Sequence, residues 1–289
     1  MKRKPIRLQA PAKVNVFLRV LAAREDGYHD LESLVVPISL ADGVTVRADD
    51  RLHVEVRGSP ALAGDVPVGG LNLALVAALA LADACPDAGG ALVEIDKRIP
   101  VAAGLGGGSA DAAATLLALN RLWGCDLDPA TLGEVAERIG SDVPALLLGG
   151  PVLMSGRGEI LAPAEVASFW WVVVHFDFGV RSPDAYRWWD EDGGVAGPDP
   201  DPLLEAAAAG DTEALGPLLY NDLEAVVARR HPAVGEAKRH LIEAGALGAV
   251  MSGSGSSVVG LARDRVHAEQ IASGFENVLV ASGPPAREG

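Results

Sequence analysis

A chain of 289 residues, nearly half of them apolar, is long enough to bury the core of one large domain or of two ordinary ones. Its formal net charge of −15 repels phosphate backbones and anionic lipid surfaces, which argues against a general nucleic-acid or membrane binder. The same charge leaves room for a nucleotide, because one glycine loop and one lysine can bind phosphate on an acidic surface.

In chain order, the basic start Met1-Lys-Arg-Lys-Pro5 is followed by no apolar run and does not read as a signal peptide. Residues 6–8, 14–20, 44–48 and 52–56 are apolar or alternating and predict strands. Asn72 then opens an alanine-rich helix over 73–84 that Pro86 ends. The apolar stretch 71–84 carries Asn72 and Asp83 and is too short to span a bilayer, so a cytoplasmic protein is expected. A strand at 92–95 leads to Pro100, a glycine-rich segment and a helix over 109–122. Asp128 and Pro129 predict an N-cap and the first residue of another helix. Residues 170–175 read as a buried strand and 190–202 as an exposed acidic loop. Helices are predicted at about 203–209, 211–229 and 232–244, then strand, glycine turn and strand from Val250 to Leu261. The tail from Ser282 reads as frayed. Strands and helices come in blocks, which points to an α+β fold. Cys85 and Cys125 have neither metal spacing nor a disulfide framework, and both are expected to pack as small buried hydrophobes. The scattered histidines lack ligand spacing, and the tryptophans read as packing residues.

The strongest local signal is Pro100-Val-Ala-Ala-Gly-Leu-Gly-Gly-Gly-Ser-Ala-Asp111, directly ahead of a helix. Glycines let backbone N–H groups face a ligand, and a helix N-terminus adds unpaired donors and positive potential. Together they form a phosphate cradle. Ser109 is placed to cap the helix or touch a phosphate or metal, and Asp111 to complement the helix dipole. No lysine follows the glycines, so this is not a Walker loop, and the dinucleotide fingerprint fails at Ser109. Lys13 and Asn15, two apart on a strand, share one face and suit charge stabilisation and hydroxyl binding in phosphoryl transfer.

The segment from Pro100 to Ala110 resembles the phosphate loop of the galactokinase, homoserine kinase, mevalonate kinase and phosphomevalonate kinase superfamily. Two further motifs of that family are similar here: Ala10-Pro-Ala-Lys-Val-Asn-Val16 and Met251-Ser-Gly-Ser-Gly-Ser-Ser-Val258. A finer resemblance is to the branch that phosphorylates a cytidine-diphosphate-linked methylerythritol. It rests on residues 11–18, Arg24-Glu-Asp-Gly-Tyr-His29, residues 95–100, residues 140–144 and Asn221-Asp-Leu-Glu224.

The resemblance implies a two-domain α+β kinase fold with the active site in the interdomain cleft. An ATP-binding domain would span 1–152 and a substrate domain 153–289, and which of the two the last twenty or so residues join stays open. It implies Lys13 and Asp142 as catalytic residues, Asp142 also being a natural N-cap before Val143. It implies Asn15, Tyr28, His29, Ser182 and Tyr186 around the substrate, with aromatic rings stacking on the cytosine. ATP would lie against Asn72, Lys97, Pro100, Gly104, Leu105, Gly106, Gly107, Gly108, Ser109 and Ala110. The turn at Gly253, Ser254 and Gly255 would close over substrate or phosphate. Mg²⁺ is expected with ATP, and no acidic cluster identifies its ligands. A sister kinase for homoserine or mevalonate, and a non-catalytic sensor with this fold, stay open at this level. Oligomeric state is not legible.

Overall fold

The computed structural model describes residues 4–58 and 72–285. The chain forms two compact units. The first comprises the described residues within Met1–Ala12, Leu40–Val101 and Gly106–Gly149. The second comprises those within Lys13–Ser39, Ala102–Leu105 and Gly150–Gly289.

Strands β1 (Ile6–Ala23) and β2 (His29–Ala48) pass along the chain from one unit to the other. The two short strands expected at 6–8 and 14–20 are one strand, because Pro11 asks only for an extended φ. The first half of β2 was not expected. Asp30, Glu32 and Pro37 dilute its strand pattern, yet Leu34, Val35, Val36 and Ile38 are buried.

In the first unit, the end of β2 pairs antiparallel with β4 (Ala91–Asp96), Gly43 opposite Asp96 and Ala48 opposite Ala91. Strand β3 (His53–Arg57) runs parallel to β4. Two helices cover this sheet. Helix α1 (Leu73–Ala84) starts at Asn72, whose side chain accepts from the N–H groups of Ala74 and Leu75 at 3.0 and 3.4 Å. Helix α2 (Gly107–Trp123) is alanine-rich on the face against α1 and ends at Gly124 in the left-handed conformation. Val44, Val46, Ala77, Leu81, Val93, Ile95, Leu116 and Leu119 form the shared core. Asp128 caps α3 (Pro129–Glu137) by accepting from the Thr131 N–H at 2.8 Å, as expected.

The expectation for the cysteines is corrected. Cys85, the C-cap of α1, and Cys125, just beyond α2, are joined by a disulfide with Cα atoms 5.6 Å apart. Forty residues separate them in sequence, and only the packing of α1 on α2 brings the two helix ends together. Closing a loop of that length restricts the unfolded chain. Reduction, or Cys85→Ala with Cys125→Ala, is expected to cost about 3–4 kcal/mol. Urea unfolding with and without reductant measures this, and an unchanged midpoint would refute it.

The second unit has its own sheet in the order β11, β7, β10, β9. Central β7 (Phe169–Val174) pairs antiparallel with β10 (Val258–Ala262) and β11 (Val278–Gly283), while β9 (Gly248–Met251) pairs with β10. Its core includes Val172, Val174, Val226, Val227, Leu241, Met251 and Val258. Lys13–Ala23 of β1 and the first half of β2 also belong here. Strand β5 (Val152–Gly156) pairs with β2 and with β6 (Ile160–Pro163), and β8 (Tyr220–Asn221) runs parallel to β1 at Phe17 and Leu18.

Three local expectations change. The tail is in strand β11 to Gly283, and the four residues from 286 lie outside the described set. The long helix expected over 211–229 divides into α7 (Thr212–Leu215), a 3₁₀ turn at Gly216–Leu218, β8 and α8 (Glu224–Arg230). Pro217 cannot donate to a continuing helix, and Gly216 sits so near Leu247 that a Cβ would come within 2.3 Å of its carbonyl oxygen. The acidic loop begins later than expected, because α5 (Ser182–Glu191) runs through Asp190, and α6 (Asp201–Ala209) takes its far end. Asp192 accepts from Arg229 and Arg230 and so ties the loop down. Those two guanidiniums, Arg230 first, hold its carboxyl well below the usual range.

Candidate active site

In the second unit, Lys13 and Asn15 share the inward face of β1, both almost fully buried. The Lys13 ammonium donates to Asn15 Oδ1 at 2.6 Å. Asn15 Nδ2 donates to Ser33 Oγ at 2.8 Å, and Ser33 donates to the Phe17 carbonyl at 2.7 Å. The backbone N–H of Asn15 donates to Ser252 Oγ at 3.1 Å. The glycine turn after β9 therefore lies directly against this pair. A Cβ at Gly253, which has φ +58°, would lie 3.0 Å from Asn15 Oδ1 and 3.3 Å from Lys13 Nζ.

Part of the phosphate loop folds into the same place. Lys13 N–H donates to the Leu105 carbonyl at 2.9 Å, and Ser257 N–H to Ala103 at 3.1 Å. Gly104 has φ +77°, and a Cβ there would meet the carbonyl oxygens of Ser252 and Gly255 at 2.7 and 2.8 Å. Only glycine fits that position.

The turn is braced by a motif that sequence singled out without a role. Asn221 Nδ2 donates to the carbonyls of Met251 and Gly253 at 2.7 and 2.8 Å, and its Oδ1 accepts from the Leu223 N–H. Glu224 accepts from the Met251 N–H at 2.8 Å. Asp222 accepts from Val20, Gly197 and the Tyr220 hydroxyl.

Aromatic side chains gather around His29. Tyr186 on α5 stacks on His29, with ring centroids 5.1 Å apart and planes at 22°. Trp189 meets the same imidazole edge-on at 5.8 Å, and Asp190 lies 2.9 Å from His29 Nε2. Tyr28 points outward, 59% exposed, with the Arg157 guanidinium 5.0 Å over its ring. His29 is thus a ring on which Tyr186 stacks. Ser182 and Ser254 approach to 3.1 Å between hydroxyls, and Ser254 donates to the Val180 carbonyl at 3.3 Å, which joins the start of α5 to the glycine turn.

In the first unit, α2 begins at Gly107 behind Gly106, which caps it in a left-handed conformation (φ +69°) with no side-chain bond. Ser109 lies inside the first turn and is not the cap. The unpaired N–H groups of this first turn belong to the glycine-rich stretch, the arrangement that cradles a phosphate. Asp142 precedes α4 (Val143–Leu148) in an αR conformation and makes no side-chain cap bond. Pro144 at the second helical position has no N–H to offer it, so the capping expectation is corrected.

Asp111 is also corrected. It lies beyond the first turn of α2 and is buried against Lys97, 3.0 Å from its ammonium. Lys97 is bonded at the same time to Asp42, a fully buried carboxylate that sequence reasoning missed. Burial pulls Lys97 down, but attraction to Asp111 and Asp42 outweighs it and its pKa is raised. Two carboxylates share one cation. Burial pushes Asp111 up to about 7, against the pull of Lys97 and with repulsion from Asp42.

A raised folded-state pKa contributes stability that is complete below the unfolded pKa near 3.8 and lost as pH rises through about 7. Asp111→Asn cannot ionise and escapes this loss. Its stability advantage over wild type is expected to grow as pH rises from about 4 to about 7 and then to level off. Urea titrations at several pH values measure the difference, and a flat difference would refute it.

Among the described residues, no group of three or more His, Cys, Asp or Glu side chains is placed to hold a metal. No helix among them is long and apolar enough to cross a membrane.

A helix-borne glycine loop in the first unit and, in the second, a buried lysine beside another glycine turn are the parts of a small-molecule kinase. The model of the GHMP kinases N terminal domain matches residues 72–150, and that of the GHMP kinases C terminal matches residues 203–281. A 4-diphosphocytidyl-2-C-methyl-D-erythritol kinase of Nocardioides sp. is 44% identical over 96% of this chain and 97% of its own length. One of Gloeobacter violaceus is 40% identical over 99% of this chain and 93% of its own. A crystal structure of a 4-(cytidine 5'-diphospho)-2C-methyl-D-erythritol kinase superposes with a TM-score of 0.83 at 36% identity, covering 97% of this chain and all of that one. A homoserine kinase from Cytophaga hutchinsonii shares the fold at 22% identity, with a TM-score of 0.72 over 97% of this chain and 94% of that one. The chain belongs to the 4-diphosphocytidyl-2-C-methyl-D-erythritol kinase family of the GHMP kinases.

Proposed function

We propose that this chain transfers the γ-phosphate of ATP to the 2-hydroxyl of 4-diphosphocytidyl-2-C-methyl-D-erythritol, a step of the non-mevalonate route to isoprenoid precursors. The observation that carries this is 40–44% identity to kinases of that name over nearly the whole chain. The burial of Lys13 and Asn15 against the glycine turn supports it locally.

In the proposed reaction the hydroxyl oxygen bonds to the γ-phosphorus as the bond from that phosphorus to ADP breaks. The hydroxyl proton passes to Asp142, and no phospho-enzyme forms. Lys13 stabilises charge on the transferring phosphoryl group, and Asn15 orients the acceptor. The loop from Pro100 through Gly104, Leu105, Gly106, Gly107, Gly108, Ser109 and Ala110 cradles the ATP phosphates, with Asn72 and Lys97 on the adenine side. His29, Tyr186, Ser182 and Tyr28 receive the cytidyl group, and Gly253, Ser254 and Gly255 form the turn over the reacting end.

The protein offers no carboxylate cluster for Mg²⁺ among the described residues. The ion is therefore assigned to the phosphates of ATP, and no step is routed through a protein-held metal. The same proposal places the functional division near residue 152, supported by family matches on either side of it, and the protein in the cytoplasm.

The test is ADP release with Mg-ATP and, in parallel, the cytidyl-methylerythritol, mevalonate and homoserine. Turnover with the first alone is expected. Turnover only with another alcohol would overturn the substrate assignment, and ATP binding without turnover would overturn the enzymatic one.

A further inference from the structure

Both ends of the phosphate loop are tied to one buried group. Asp42 Oδ1 accepts the backbone N–H of Arg98 at 2.6 Å and of Ile99 at 2.9 Å, the two residues just before Pro100. Asp42 Oδ2 accepts from Lys97. The same ammonium reaches Asp111 Oδ2 at 3.0 Å, on the helix that follows the loop. The start of that helix packs onto these residues. A Cβ at Gly107 would lie 3.0 Å from Ile99 Cγ2 and 3.3 Å from Lys97 Nζ.

We propose that Asp42 and Asp111 are positioning residues for ATP, acting through Lys97 to fix the entry and exit of the phosphate loop. The inference rests on the reading of that loop as the ATP phosphate site.

Burying three charged side chains is costly, and a fold that needed only a core at this place would be as well served by apolar residues. Asp111 shows the cost directly: its Oδ1 is buried with no hydrogen-bond partner. What the arrangement supplies is geometry. A carboxylate that accepts two successive backbone N–H groups sets the direction in which the chain enters Pro100. A single ammonium shared with the helix then sets where the first-turn N–H donors stand. Those donors bind a phosphate well only if they converge on it, and a small displacement of the helix start spreads them apart. Asp42 and Asp111 need not touch the nucleotide for their loss to be felt by it.

The experiment measures KM for ATP and for the cytidyl substrate in wild type, Asp111→Ala, Asp111→Asn and Gly106→Ala, with the unfolding midpoint of each. Asp111→Ala removes the acceptor and leaves Lys97 paired with Asp42 alone, and the unfolding midpoint reports whether the fold is kept. It is expected to raise KM for ATP about tenfold with the other KM within about twofold. Asp111→Asn keeps a hydrogen-bond acceptor for Lys97 and is expected to restore KM for ATP to within about threefold of wild type. Gly106→Ala strains the left-handed cap and raises KM for ATP if the loop reading holds. An unchanged KM in Asp111→Ala beside a raised one in Gly106→Ala would overturn the positioning role and leave the loop reading standing. No change in either would overturn both. Equal rises in the two KM values, or a rise that follows a lowered unfolding midpoint, would also overturn the positioning role.

Discussion

Lys13→Met is expected to lower kcat by about 10²–10³-fold while changing KM for ATP by less than about threefold, as expected when a charge acts mainly in the transition state. Methionine keeps the length and apolar stem of lysine, so the buried strand position stays filled and the loss reports the ammonium. Lys13 is 5% exposed, and its ammonium is aimed by Asn15 Oδ1 and bounded by the glycine turn. An ion held in so dry and fixed a place needs little reorganisation as charge develops on the phosphoryl oxygens. Lys13→Arg is not expected to rescue activity. The guanidinium is larger and planar, and Gly253 already leaves no room for a Cβ beside the ammonium. Steady-state rates with saturating ATP decide the matter. Activity near wild type in Lys13→Met would remove Lys13 from the chemistry.

What the sequence made legible was local. Asn72 and Asp128 were readable as helix starts because a cap bonds to N–H groups two or three residues away. The phosphate loop was readable because its glycines and the helix that receives them are adjacent. Lys13 and Asn15 were readable as one face because strand period is two. The parts that stayed hidden are pairs made by packing. Asp42 meets Lys97 across 55 residues, and His29 meets Asp190 across 161. Cys85 meets Cys125 only because α1 and α2 lie together. Asp111 shows how a local rule can mislead. A carboxylate near a helix start suits the dipole, yet here it faces inward to a lysine that sequence places on the adenine side. Asn221 and Glu224 stood out as a pattern, but their work on Met251 and Gly253 depends on strands that meet only in the fold. The disulfide also bears on the proposed location, since thiols in most cytoplasms are kept reduced. The bond would then form only in an oxidising setting, and unfolding with and without reductant measures its effect.

Asp142→Asn is the companion result: a loss of about 10²–10⁴ in kcat with nucleotide binding retained. The asparagine matches the shape of the carboxylate and can still accept a hydrogen bond, but it cannot take the hydroxyl proton. Helix capping does not contribute to the loss, since the Asp142 side chain caps nothing and Pro144 leaves no N–H at the second helical position. The backbone around it makes hydrogen bonds of its own. Val143 N–H donates to the Gly140 carbonyl at 3.1 Å and Leu146 N–H to that of Asp142 at 3.2 Å, so the substitution leaves position 142 where it was. A base that receives the proton in the transition state, and does not hold the ground-state substrate, predicts a fall in kcat with little change in either KM. If Asp142→Asn turned over near the wild-type rate, proton transfer would have to be assigned elsewhere. If instead it lost substrate affinity with kcat intact, Asp142 would be a binding residue and Lys13 would carry the chemistry without it.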